Sequence, residues 1–243
     1  AVLVPTTVLA LQHYESFVER MEGSPVRIAC LSRMQTPKQQ KKILEQIASG
    51  GIDIVIGTHR IVSKDVQFKD LGLLIIDEEQ RFGVKAKEHL RQMRVGVDTL
   101  TLSATPIPRT LHFSMLGARD LSIIATPPQD RLPIKTILCE EDEPVIQAAL
   151  VREFARDGQA YYIHNRVESI YSAAAKLQKL VPQARIAIAH GQMDADAMDE
   201  VFHRFKSGEA NLLIATSIVE NGLDIPRANT ILIERADLFG LAE

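Results

Sequence analysis

Tryptophan is absent from this sequence, and aromatic residues make up only 5% of its 243 residues. Proteins that hold single strands by base stacking need several aromatic rings, so a stacking platform of that kind is not expected. The two cysteines, Cys30 and Cys139, are far apart, and each lies in a short apolar run. We expect them to pack as small apolar side chains rather than to form a disulfide, which favours a cytoplasmic protein.

Long apolar runs and a strong net charge are also missing. No run approaches the ~20 residues of a membrane-spanning helix, and residues 1–5 lack the basic flank and cleavage site of a signal peptide. The seven histidines are scattered without the spacing of zinc ligands. A net charge of −3 neither supports nor excludes nucleic acid, because a local basic groove can exist on a mildly acidic protein. The sequence predicts a soluble globular protein with no membrane contact and no zinc site.

Short apolar segments alternate with segments of helical periodicity along most of the chain. Strands are predicted at residues 2–4, 26–31, 53–56, 71–76, 99–102, 134–139, 160–163, 185–189, 212–215 and 230–233. Helices are predicted at residues 8–21, 37–49, 85–93, 107–116, 145–156, 170–180 and 195–206. Adjacent prolines near residue 127 break the pattern and indicate a linker. The alternation predicts an α/β fold of two tandem domains with mostly parallel sheets, at 1–126 and 134–243, joined by a linker at 127–133.

The strand predicted at residues 71–76 ends in three acids and a glutamine, Asp77-Glu78-Glu79-Gln80. The carboxyl ends of parallel strands face the ligand crevice of an open α/β sheet. A carboxylate there can hold Mg²⁺ bound to nucleotide phosphates, and a second can orient or deprotonate an attacking water. We assign Asp77 to the metal and Glu78 to the water as a hypothesis. The alternative is that these acids only solvate the end of a strand.

Small polar residues lie at the other predicted strand ends. In the first half they are Thr6, Thr7, Thr58, Ser103 and Thr105, and in the second half Asn165, Thr216, Gly222 and Asp224. Such residues expose backbone N–H groups and side-chain donors that suit phosphate oxygens. Taken singly, each is better explained as an ordinary cap or turn residue. Their shared position at one edge of both sheets predicts a phosphate-binding crevice.

Six segments resemble the motifs of superfamily 2 helicases. Residues 77–80, 103–110 and 215–226 are similar to motifs II, III and V, and residues 5–10, 57–59 and 161–165 to motifs Ia, Ib and IV. Within that superfamily, residues 77–84, 121–128 and 233–240 resemble the bacterial transcription-repair coupling factors, and the RecG-like helicases are similar but less close. The resemblance covers essentially the whole chain. Its motifs are specific as a set and weak one by one.

The resemblance implies two RecA-like domains that clamp ATP between them and move along double-stranded DNA. Asp77 would hold Mg²⁺, Glu78 would activate the hydrolytic water, and Gln80 would link them to the turn at residues 103–105. Gly222 and Asp224 would lie near the nucleotide at the interdomain face. Contacts to the DNA backbone would come from Thr6, Thr7, Thr58, Ser103, Thr105, Arg109, Asn165 and Thr216. Backbone contacts predict little sequence preference and strong salt dependence. RNA polymerase and a damage-recognition repair protein would be partners of the parent protein.

Two elements of such motors are missing from the sequence. It contains no Gly-x-x-x-x-Gly-Lys-Ser/Thr loop, and it ends at Glu243 before the family's motif VI with its arginine finger. These elements supply the phosphate cradle and a charge that stabilises the transferring phosphate. The chain is therefore expected to be an internal part of a longer ATPase, inactive by itself and of doubtful stability when isolated.

Two alternatives stay open. A RecG-like branch-migration helicase would use the same chemistry. A module that binds nucleic acid without catalysis belongs to another class, and Asp77 and Glu78 argue against it, because adjacent acids at a buried strand end are costly without a cation. An unrelated small-molecule α/β enzyme is disfavoured, because the sequence contains no Gly-rich loop, nucleophile elbow or metal triad.

Overall fold

A computed structural model describes residues 1–83, 86, 89–90, 96–103, 120–126, 133–140, 142–216 and 224–239. These residues form two parallel β-sheets, one in each half of the chain, and helices lie on both faces of each sheet. This arrangement confirms the predicted α/β fold with two tandem domains.

The first sheet contains five parallel strands in the order β2-β3-β1-β4-β5. They are β1 (Val2–Leu3), β2 (Ile28–Leu31), β3 (Ile54–Gly57), β4 (Leu73–Asp77) and β5 (Asp98–Leu102). Helix α1 (Thr7–Arg20) packs Leu9 and Ala10 against one face, and helix α2 (Pro37–Ser49) packs Ile47 against the other. The alternation of side chains along each strand therefore supplies two apolar layers.

Helices α1 and α2 both begin at a residue whose side chain caps the first turn. The Thr6 hydroxyl accepts a hydrogen bond from the backbone N–H of Leu9 at 3.3 Å. Thr36 and Gln39 form a reciprocal capping box, which satisfies two N–H groups that the first helical turn leaves without partners. Helix α2 ends at Gly50, whose φ of 76° lies in the left-handed region that glycine tolerates without steric cost.

The second sheet contains four parallel strands in the order β7-β8-β6-β9. They are β6 (Gln159–Ile163), β7 (Ile186–Ala189), β8 (Leu212–Ala215) and β9 (Ala228–Ile233). Helices α3 (Glu143–Phe154) and α4 (Ile170–Leu180) cover one face, and α5 (Ala195–Ser207) covers the other. Single 3₁₀ turns follow β3, β4, β6 and β9, at His59–Val62, Glu79–Arg81, Val167–Ser169 and Ala236–Leu238.

One predicted strand is wrong. Residues 133–139 are exposed and pair with no strand among the described residues, although their short apolar run suggested a strand at 134–139. Ile134 and Leu138 are 80% and 91% exposed, so this segment lacks the neighbouring backbone that converts an apolar pattern into a ladder. Of the helix predicted at 85–93, Ala86, His89 and Leu90 are described, and these are helical. The helix predicted at 107–116 and nearly all of the linker lie outside the described residues.

The two domains contact each other through α1 and the end of β2. Lys206 on α5 pairs with Glu15 at 2.6 Å between Nζ and Oε2, and Arg33 pairs with Asp199 at 2.9 Å. Val8 of α1 packs against the apolar cluster of the second domain that contains Phe205. Within the part of the chain that the structure describes, no helix is both long and apolar enough to cross a membrane.

Candidate nucleotide site

The end of β4 and the turn after it form the centre of the candidate site. Asp77 is the last residue of β4, and Glu78 follows with φ 50° and ψ 54°. This left-handed conformation costs a residue with a Cβ on the order of 1 kcal/mol or more. The backbone N–H of Glu78 donates to the carbonyl of Leu102 at 3.0 Å, which joins the turn to the end of β5. The acidic turn is thus held by its backbone, with both carboxylates at the carboxyl edge of the sheet.

Gln80 and Ser103 both contact the Glu78 carboxylate. The Gln80 amide nitrogen donates to Oε2 of Glu78 and, at 3.4 Å, to the Ser103 hydroxyl. That hydroxyl in turn donates to the same Oε2 at 3.3 Å. The structure therefore brings together three residues that the sequence placed at two separate strand ends. Gln80 and Ser103 are hydrogen-bonded to each other, as a link between them requires. Thr105 and Arg109 lie outside the described residues.

Asp77 is oriented by a residue that the sequence did not single out. His13 of α1 lies with Nε2 at 3.3 Å from Oδ2 of Asp77. The other oxygen, Oδ1, has no hydrogen-bond partner within the described ranges, and the Asp77 side chain is 20% exposed. A partly exposed carboxylate suits a magnesium ion that keeps most of its waters and bridges to nucleotide phosphates.

A metal cage built from protein alone is not observed in the described part of the chain, where no three or more His, Cys, Asp or Glu residues are grouped to hold an ion. Asp77 and Glu78 are the residues present that fit a nucleotide-bound cation.

The predicted phosphate contacts of the first domain differ in their exposure. The Thr6 hydroxyl caps α1, which is the ordinary role of a residue at this position. Thr7 and Thr58 are buried, at 6% and 4% exposed, so their hydroxyls face no open surface. Their predicted contacts with DNA stay predictions, and a direct contact would need the neighbouring residues to move.

In the second domain, Asn165 is exposed after β6 and Thr216 is nearly buried after β8. The backbone N–H of Asp224 donates to Oε1 of Gln12 on α1 at 3.3 Å. Asp224 therefore contacts α1 of the first domain, and its predicted place near the nucleotide stays a prediction. Gly222 is outside the described residues. Burial, aided by the Asp224 charge, raises the pKa of Tyr161 to about 12, because both disfavour the phenolate.

The sequence did not predict a buried polar cluster that lies at the end of β6. His164 is 7% exposed; its Nε2 lies 2.8 Å from the Ser169 hydroxyl, and its Nδ1 contacts the Glu234 carboxylate. Tyr162 donates to the same carboxylate at 3.4 Å. The cluster fixes the ends of β6 and β9 beside a cavity of about 400 Å³ whose lining includes Asn165. No sequence signal pairs His164 with an acid 70 positions away.

Comparisons with known proteins show which protein families the two halves of the chain match. Residues 1–113 match the DEAD/DEAH box helicase family, and residues 143–242 match the helicase conserved C-terminal domain. The chain is 54% identical over all 243 residues to the transcription-repair-coupling factors of Staphylococcus haemolyticus and Staphylococcus aureus, and it spans 21% of the length of each.

Solved structures agree with this fold. A structure of RecG bound to a three-way DNA junction is 36% identical and superposes with a TM-score of 0.80, over 99% of this chain and 32% of RecG. Saccharomyces cerevisiae Dbp5 bound to RNA and ADP BeF3 superposes with a TM-score of 0.67 over 95% of this chain and 61% of Dbp5. At 16% identity, that second likeness shows the fold alone. The tandem RecA-like fold is confirmed.

Proposed function

Because residues 1–113 match the DEAD/DEAH box helicase family and residues 143–242 match the helicase conserved C-terminal domain, we propose that this chain is part of an ATP-driven translocase motor on double-stranded DNA. The chain spans about a fifth of the coupling factors that it matches, at 21% of their length. The activity proposed here is that of a motor to which these residues contribute. Its setting is transcription-coupled repair, with RNA polymerase and a damage-recognition repair protein as partners.

The contact set around Glu78 carries the proposal. Gln80 and Ser103 both donate to Oε2 of Glu78, so the carboxylate is held by two donors at the edge where a nucleotide would lie. A carboxylate held in this way can accept the proton of an attacking water in a defined direction. Asp77 on the adjacent strand end would hold Mg²⁺, whose charge stabilises the phosphate oxygens during transfer. A module that only binds nucleic acid would not need this arrangement.

Contacts between the domains support coupling of hydrolysis to movement. The backbone N–H of Asp224 donates to Gln12 on α1 of the first domain. The next residue on that helix, His13, contacts Asp77. A nucleotide bound at Asp77 would therefore lie close to the interface between the domains. We propose that nucleotide binding closes the domains and hydrolysis reopens them, so that their contacts with the DNA backbone advance alternately.

A RecG-like branch-migration helicase is the second candidate. The match to RecG on a three-way DNA junction, at a TM-score of 0.80 and 36% identity, favours it specifically. The two candidates share ATP chemistry and differ in what the motor moves. Displacement of a stalled RNA polymerase supports the coupling-factor function, and migration of a three-way junction without polymerase displacement supports the RecG-like function.

The deciding experiment measures DNA-stimulated ATP hydrolysis by the full natural chain. The variant is Glu78→Gln, and the matched control is Glu45→Gln, which changes an exposed glutamate on α2. We expect stimulated turnover in the wild type and the control, and a loss of roughly 100-fold or more in Glu78→Gln with ATP binding retained. Salt-sensitive DNA binding without ATP turnover in the wild type would overturn the proposed motor function and would support a module that only binds nucleic acid.

A further inference from the structure

Helix α1 presents a histidine to the candidate metal ligand. His13 Nε2 lies 3.3 Å from Oδ2 of Asp77, across 64 positions of sequence. In the tautomer that carries its proton on Nε2, the His13 ring donates a hydrogen bond to this carboxylate. The contact occupies one carboxylate oxygen and leaves Oδ1, which has no partner among the described residues, for another ligand.

The position of α1 is fixed on two sides, so His13 is presented from a rigid element. Leu9 and Ala10, at 3% and 0% exposed, anchor the helix to the first sheet. On the other side, Gln12 accepts the hydrogen bond from the Asp224 backbone in the second domain at 3.3 Å. Consecutive helical residues point about 100° apart, which lets Gln12 reach the second domain while His13 reaches Asp77.

His13 has no role in the core that would explain its contact. Its side chain is 30% exposed, so burial in the core does not account for the contact. A histidine in such a place usually turns to solvent, whereas this one is directed at a carboxylate at the ligand edge. Hydrogen-bond partners of metal ligands fix ligand orientation, and their loss typically costs 10- to 100-fold in metal affinity.

We propose that His13 is a positioning residue for Asp77: its hydrogen bond to Oδ2 turns Oδ1 toward the Mg²⁺ of a bound nucleotide. The inference rests on the proposed function, because it assumes that Asp77 serves a nucleotide-bound cation. His13 itself touches neither the nucleotide nor the metal. It acts through the orientation of a carboxylate that would otherwise rotate freely at the end of β4.

The direct test measures Mn²⁺ binding by electron paramagnetic resonance in the full natural chain with a non-hydrolysable ATP analogue. We expect His13→Ala to weaken Mn²⁺ about tenfold. His13→Gln should recover most of the affinity, because its amide nitrogen reaches nearly the same place as Nε2. The matched control His203→Ala removes an exposed histidine of α5 and should leave the affinity within about twofold.

Steady-state kinetics supply a second readout. In His13→Ala, the Mg²⁺ concentration that gives half-maximal ATP hydrolysis should rise by a similar factor, while salt-dependent DNA binding stays at the wild-type level. A merely structural role would instead lower DNA binding and activity together, without rescue by glutamine. Unchanged Mn²⁺ affinity in a folded His13→Ala, with normal wild-type turnover, would overturn this inference alone. A wild type without DNA-stimulated hydrolysis would instead overturn the proposed function.

Discussion

Gln80 donates a hydrogen bond from its amide nitrogen to the hydroxyl of Ser103 across 3.4 Å, and this contact joins the turn after β4 to the end of β5. Both residues also contact Oε2 of Glu78. A change at the nucleotide that moved the Glu78 carboxylate would therefore also alter the hydrogen bonds of Gln80 and Ser103. The proposed motor would need a contact of this kind between Glu78 and the residues proposed to hold DNA.

The first prediction concerns this link. Gln80→Ala and Ser103→Ala should each lower DNA-stimulated ATP turnover about tenfold while leaving the affinity for an ATP analogue nearly unchanged. The double variant should lose less than the product of the two single losses, because the contact between Gln80 and Ser103 is removed by either substitution. The measurement is a steady-state ATPase assay with and without DNA. Losses that multiply in the double variant would show that the two residues act independently.

The second prediction concerns the ion pair between Glu15 and Lys206, which joins the domains at 2.6 Å. Both side chains are substantially exposed, so the pair contributes about 1 kcal/mol at most and is weakened by salt. Lys206→Glu should shift the ratio of closed to open domains up to about fivefold toward the open state. Fluorescence energy transfer between dyes on α2 and α4 measures this ratio.

The charge-swapped double variant, Glu15→Lys with Lys206→Glu, is the control for that experiment. It restores an attractive pair with reversed polarity and should return the transfer efficiency to the wild-type value at low salt. The same efficiency in all three proteins would mean that the pair does not influence domain closure.

Local patterns predicted the fold because each element carries its own signal. Thr36, Gln39 and Gly50 mark the ends of α2 by chemistry that acts over a few residues, and the structure shows those contacts. The strand prediction at residues 134–139 was wrong because a strand does not depend on local signals alone. The short apolar run of this segment is typical of a strand, but a strand also needs a partner backbone, and no local pattern specifies one.

The candidate site was predictable where it depends on strand ends. Asp77, Glu78 and Ser103 lie at the carboxyl ends of two neighbouring parallel strands, so sheet topology brings them to one edge. The residues that orient them were not predictable in the same way. His13 reaches Asp77 from a helix whose rotation about its own axis depends on burial against the sheet. The contact could therefore be seen only once the tertiary packing was known.

The third prediction concerns Gly57, at the end of β3. A Cβ at this position would lie 2.0 Å from the Leu31 carbonyl oxygen of the paired strand, far closer than atoms can approach. Gly57→Ala should therefore push β2 and β3 apart and cost about 2 kcal/mol or more of local stability. Hydrogen–deuterium exchange of the β2 and β3 amides measures this loss. Gly72→Ala is the matched control, because its added Cβ meets no described atom within 4 Å.

Near-wild-type exchange in β2 and β3 of Gly57→Ala would contradict that prediction. The result would also bear on the site, because Thr58 follows Gly57 at the same strand end. If the strands separate, the buried Thr58 becomes exposed, and salt-dependent DNA binding by the full natural chain should change along with amide exchange.

The last prediction follows from Tyr161 in β6, which packs against Phe205 with ring centroids 5.1 Å apart. Burial, with a smaller contribution from Asp224, raises its pKa to about 12, against about 10 for a tyrosine in the unfolded chain. From about pH 10 to 12 the unfolded chain releases this proton first. Titration therefore favours the unfolded state, and stability falls as the pH rises through this range. Because Tyr161 is only partly buried, its share of the loss is roughly 1 to 2 kcal/mol.

Tyr161→Phe removes the titrating group, so the variant should lose about that much less stability than the wild type between pH 9 and 12. Urea unfolding at each pH measures the difference, and absorbance of the phenolate near 295 nm reports the titration of the wild type directly. Tyr171→Phe is the control, because Tyr171 is 61% exposed and its removal should leave the pH dependence of stability nearly unchanged. Asp224→Asn should shift the Tyr161 titration to lower pH by a smaller amount, since it removes the charge and leaves the burial. Parallel stability curves for the wild type and Tyr161→Phe would show that burial at the interdomain face does not hold this phenol in its neutral form.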